Sequence, residues 1–157
     1  MRTFLAWVGD GAPRMEVAHV ERRGSGLIAV GTQLGPTYEL RYRLAATRLS
    51  LEVVGQRSVD VELGDADFFD LGWSPLFNSL PVIRDKLLES GPARRYEMRW
   101  VDVPSLAVST SEQCYEPLGD GQVRFSAGDF VADIRFDQAG FVLEYPGIGV
   151  RVSAPRS

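Results

Sequence analysis

At 157 residues the chain is long enough to close one domain around a real hydrophobic core. Its formal charge of −4 and pI near 5.0 give no basic footprint for nucleic acid, so no nucleic-acid partner is expected. Apolar residues make up 45% of it, which argues against disorder, yet no apolar run approaches the ~20 residues a spanning helix needs. Sixteen of the seventeen basic residues are arginine, with Lys86 the exception, and this is read as codon bias rather than as a phosphate-reading cluster. The first ten residues turn polar too soon for a signal peptide. Together with a lone cysteine, Cys114, which excludes an internal disulfide, they suggest a cytoplasmic protein of one domain over residues 1–157.

Strand periodicity dominates. Residues 17–20 and 27–30 read as strands, joined through Gly24, Ser25 and Gly26. These glycines begin a G-x-G-x-x-A string ending at Ala29, but a β-branched run follows where a dinucleotide fold needs a helix, so a hairpin turn is expected and no cofactor. Tyr38, Leu40, Tyr42 and Leu44 then alternate with Glu39, Arg41 and Arg43. The pattern resumes with Leu49, Leu51 and Val53, and again with Val59, Val61 and Leu63. Short turns between half-apolar strands predict an antiparallel meander.

Leu76, Leu80, Ile83 and Leu87 have a helical spacing. Because Pro81 disfavours α geometry at Leu80, the expected arrangement is a turn over residues 74–78 and a short helix near residues 80–90, stopped by Gly91 and Pro92. Tyr96, Met98 and Trp100 form a further strand. Gly119, Asp120 and Gly121 signal a hairpin leading to Val123 and Phe125. Phe130, Ala132, Ile134 and Phe136 follow, then Phe141, Leu143 and Tyr145. The fold expected is mainly β: a curved antiparallel sheet built from two comparable meanders around one helix.

The residues that carry chemistry are few. Asp65, Asp67 and Asp70 resemble hard-metal ligands but lack the glycine and glutamate of an EF-hand, and are read as solvated turn acids, giving no metal site. His19 is the only histidine and is read as structural. Cys114, with no adjoining cation, is read as a buried, inert thiol. Asn78 and Arg84 are polar residues in apolar surroundings; Asn78 is expected to cap local backbone, and Arg84 to pair with Asp67, Asp85 or Glu89, unless both meet a polar headgroup at a pocket mouth.

Residues 74–84, SPLFNSLPVIR, resemble the "TPFTNTLPIRRL" signature of the bacterial family known as "putative glycolipid-binding" proteins. Residues 131–147 resemble its "vDxxGlVxdYPGl" ending, and Asp65-Ala66-Asp67 its "D-x-D". Pro104 with Leu106, and Gln113 with Tyr115, fall where that family shows "P-x-L" and "QxY". The resemblance spans residues 65–152 and implies a spiral β-roll that binds a lipid or glycolipid-like small molecule. Arg84 is followed by Asp85 where the family motif more often has a second arginine. The expected function is non-enzymatic binding of an amphiphile in an apolar concavity, with Phe77, Asn78, Leu80, Arg84, Gln113, Tyr115 and Tyr145 as contact residues. The alternatives are a small hydrolase or isomerase using Asp67, Arg84 and His19, and a protein-interaction module. Oligomeric state is not legible in the sequence.

Overall fold

Strands with one apolar face must cover it, and a sheet that curls far enough covers its own. The structure, a computed structural model, describes residues 2–152; Met1, at the head of the N-terminal segment read above, and residues 153–157 lie outside it. A first meander comprises β1 (Arg2–Gly9), β2 (Met15–Arg23), β3 (Gly26–Leu34), β4 (Glu39–Leu44), β5 (Arg48–Val53) and β6 (Arg57–Glu62). β7 (Phe68–Leu71) and helix α1 (Pro75–Arg84) come next. A second meander comprises β8 (Arg94–Val101), β9 (Val108–Gly119), β10 (Gln122–Ala127), β11 (Phe130–Phe136), β12 (Val142–Tyr145) and β13 (Gly149–Arg151).

All thirteen strands belong to one curved, unclosed sheet, ordered β6-β5-β4-β3-β2-β1-β13-β12-β11-β10-β9-β8-β7. The two six-stranded meanders meet where β1 pairs antiparallel with β13, placing Trp7 opposite Arg151. β7 alone pairs parallel, with β8, and α1 lies in the crossover that such a pair requires. Leu40, Tyr42 and Leu44 sit opposite Val53, Leu51 and Leu49, so the alternation read from the sequence becomes one buried face. Gly24 and Ser25 form the two-residue turn between paired Arg23 and Gly26. Asp120 and Gly121 make the next tight hairpin, with φ of 55° and 77°.

The helix exists but starts earlier and stops sooner than residues 80–90. Pro75 opens it, at a position whose N–H would be unpaired in any case. Pro81 lies inside it, where a proline leaves the Phe77 carbonyl without its helical donor. The stop is not Gly91-Pro92 but Lys86, which takes a left-handed φ of 54° while the Leu87 N–H donates to the Val82 carbonyl at 3.1 Å. That pairing is a Schellman closure, and buried Leu87 supplies its apolar contact. Nor does α1 have a single apolar face: residues 75–82 are all buried, because the helix sits inside the curl against β3, β7 and β12. The concavity is therefore filled along α1, and free space remains only beside it.

On the outer face, β13, β1, β2 and β3 carry exposed apolar residues in register, including Val150, Val8, Met15 and Leu34 in one row and Phe4 and Val30 in another.

Candidate functional site

Burying α1 obliges its polar groups to find partners. Ser79 Oγ accepts from the Val142 N–H at 3.1 Å, and Asn78 Nδ2 donates to the Tyr115 hydroxyl at 3.1 Å, so Asn78 holds a tyrosine rather than capping backbone. Ser74, placed as the N-cap, gives its hydroxyl to Glu16 Oε2 at 2.9 Å instead of to its own helix, and the Tyr42 hydroxyl donates to the same oxygen at 3.0 Å. Glu16 is fully buried, and desolvation pushes its carboxyl up to about 7 in spite of these bonds. Its place beside the helix start, where backbone N–H groups favour negative charge, explains how a carboxyl is tolerated there.

Next to this anchor a cleft of about 530 Å³ opens between the start of α1 and the second meander. Its buried wall holds Asp70, Asn78 and Gln113, all less than a tenth exposed. Gln113 Nε2 donates to Asp70 Oδ2 at 2.7 Å and more weakly to Ser111 Oγ at 3.3 Å. Gln113 Oε1 is buried and receives no hydrogen bond. Burial raises the Asp70 carboxyl to about 6, with the Gln113 bond and a Leu71 backbone bond pulling the other way. The remaining walls are aromatic: Phe125 and Tyr145 inside, and Trp73, Trp100 and Phe130 towards the mouth. Phe125, Phe130 and Tyr145 meet at 6.0–6.3 Å between centroids.

The turn that delivers Trp73 is held from several sides. Gln33 Nε2 donates to the Gly72 carbonyl, the Gly72 N–H to Val101, and the Ser74 N–H to Leu71. Trp73 itself adopts φ of 63°, unusual for a bulky residue, with the Arg14 guanidinium 4.0 Å over its ring.

The residues singled out in the sequence are distributed as follows. Asn78, Gln113 and Tyr145 line the cleft, and Tyr115 stands behind it as the acceptor for Asn78. Phe77 is core, packed edge-to-face on Tyr42 at 5.4 Å. Leu80 and Arg84 border a separate hollow of about 190 Å³ with Asp67. Of the three acids considered, Arg84 pairs with Asp85, through bonds of 3.0 and 3.1 Å, and lies over the Phe68 ring. That pairing holds the Asp85 carboxyl below its usual range. Asp67 accepts the Glu97 backbone N–H, whereas His19 is exposed on β2 against Phe4 and borders another hollow, so the hydrolase set does not converge.

Two further readings need correction. Asp70 is not a solvated turn acid but a buried residue of β7, because Phe68–Leu71 is enclosed on both faces. Cys114 is half-buried rather than buried, since it points to the face opposite Gln113 and Tyr115. Trp73, Trp100 and Asp102 also line the cleft with no local sequence signal to mark them; only the left-handed turn, invisible in sequence, brings Trp73 to the mouth.

A single curved sheet swallowing one helix, with an aromatic cleft beside it, defines a β-rich class with a solved counterpart. The crystal structure of a DUF1089-family protein from Pseudomonas aeruginosa matches 97% of this chain and 91% of its own, with a TM-score of 0.58 and 19% identity, which establishes a shared fold. The model of the family described as "Putative glycolipid-binding" matches residues 53–151, well over half of the chain, and the chain belongs to that family. No curated protein matches it.

Proposed function

We propose that this chain binds an amphiphile, glycolipid-like or lipid-like, by its polar headgroup in the aromatic cleft beside α1. One observation carries the reading: a buried polar wall of Asp70, Asn78 and Gln113 borders a 530 Å³ space lined by aromatic rings. A few convergent polar groups among apolar surfaces is the usual chemistry of a small-molecule pocket. Rings stack on the apolar face of a headgroup and shelter a chain, while the amide and carboxylate fix orientation. In this reading Asn78, Gln113 and Tyr145 touch ligand, Tyr115 positions Asn78, and Phe77 and Leu80 seat the helix. Arg84 stays with Asp85 outside the cleft. The family description supports the same ligand class, and the domain acts as one unit.

The test is native mass spectrometry of protein purified gently from its own source, with organic extraction of what co-purifies. A stoichiometric amphiphile supports the proposal. A protein that carries none, and that takes up none from total lipid extract, refutes it. A second reading, an interaction module, draws on the exposed apolar rows over β13, β1, β2 and β3. Light scattering that stays monomeric to high concentration, with no loss of amphiphile binding when Phe4 and Val30 become serine, would set it aside.

A further inference from the structure

The charge balance of the cleft goes further than its shape. Asp70 and Asp102 both line it, and none of its described lining residues is Lys, Arg or His. Asp70 forms no ion pair among the described residues; its side-chain partner is the neutral amide of Gln113. That amide uses its N–H groups on Asp70 and Ser111, which leaves Gln113 Oε1 buried and pointed at nothing. At the Asp70–Gln113 pair both amide N–H groups are already used, so what that pair has left to offer is acceptor. A buried carboxylate without a cation is costly in water-poor surroundings, and unlike Glu16, which two hydroxyls and the start of α1 hold, Asp70 borders an open cleft, the setting in which such a group marks a binding site. The aromatic rings fit the same partner, because ring faces attract cations as well as sugars. Trp73 already holds one guanidinium, that of Arg14, which does not itself line the cleft.

Resting on the binding proposal above, we infer that the preferred headgroup carries an ammonium: its N–H groups meet the Asp70 carboxylate, and its positive charge lies among Trp73, Trp100 and Phe130. The charge complements the two acids, and the N–H donors pair the Asp70 carboxylate, which a ligand without such donors would leave without a counter-charge.

Two amphiphiles of equal tail length separate the possibilities: octylammonium chloride and octyl glucoside, titrated calorimetrically below their micelle concentrations at pH 7.5. The inference expects octylammonium to bind at least about tenfold tighter, as hydrogen bonds to charged groups imply. It also expects Asp70→Asn to remove roughly tenfold to a hundredfold of that affinity while changing octyl glucoside less. Because the wild-type comparison needs no variant, poor folding of Asp70→Asn cannot obscure the result. Octyl glucoside binding as tightly as octylammonium, or tighter, overturns the ammonium inference and leaves the cleft reading standing. Failure of both to bind overturns the two together.

Discussion

Replacing Asp70 with asparagine should change how stability depends on pH, and the size of the change follows from burial. Burial raises the Asp70 carboxyl to about 6 in the folded protein, against about 3.9 for an unperturbed aspartate. A folded pKa above the unfolded one means that the native state holds the proton more tightly. Its contribution to stability is fully present below about pH 4 and is lost as pH rises through about 6. Two units at about 1.4 kcal/mol each amount to roughly 3 kcal/mol. Asparagine keeps an acceptor for Gln113 Nε2 but cannot ionise, so the variant avoids that loss. Urea unfolding of both proteins from pH 4 to pH 8 should show the variant gaining about 3 kcal/mol on the wild type, almost all of it between pH 4 and 6. Other groups do not confuse the comparison. Tyr115 and Tyr145 are pushed upward by burial and stay protonated throughout, while Glu16 and Asp102 are present in both proteins. Two stability curves that stay parallel across this range would show that Asp70 is not desolvated as the structure has it.

Ser74→Ala removes one donor to the Glu16 carboxylate, so the Glu16 titration, followed by carboxyl-carbon NMR, should move above about 7, and stability at pH 8 should fall by about 1–3 kcal/mol. Gly31 lies under the Tyr42 ring, where an added Cβ would collide; Gly31→Ala should cost about 1–3 kcal/mol in thermal or urea unfolding. Tyr115→Phe leaves Asn78 Nδ2 without its acceptor and should cost about 1–3 kcal/mol by the same measurement. Trp73→Gly relieves a left-handed residue while removing a wall of the cleft mouth; amphiphile affinity should fall about tenfold, with stability changed by no more than about 1 kcal/mol.

The fold was readable where a strand has one wet face. Leu40 to Leu44, Leu49 to Val53 and Val123 to Phe136 alternate because solvent and core alternate, and the structure pairs them as neighbours. Where both faces are covered that signal vanishes. Phe68–Leu71 gives no alternation, so Asp70 looked like a turn acid. The helix spacing was visible, but its limits were not. Lys86 is no conventional stop, and only the left-handed turn with Leu87 packed behind it ends α1. The candidate site was half legible: Asn78, Gln113 and Tyr145 stood out in family-like segments, whereas Trp73 and Trp100 converge through a parallel pairing, Asp70 opposite Trp100, which local sequence does not encode.

The central claim is that an amphiphile occupies the cleft beside α1, and amide and indole NMR spectra of the labelled protein, titrated with octyl glucoside and octylammonium chloride, test it most directly. The account predicts saturable shifts at the Gln113 side-chain amide and at the Trp73 and Trp100 indoles for at least one of the two, with Arg84 and the outer-face rows undisturbed. Shifts centred instead on the Arg84 hollow or the outer face, or none at saturating ligand, would contradict it.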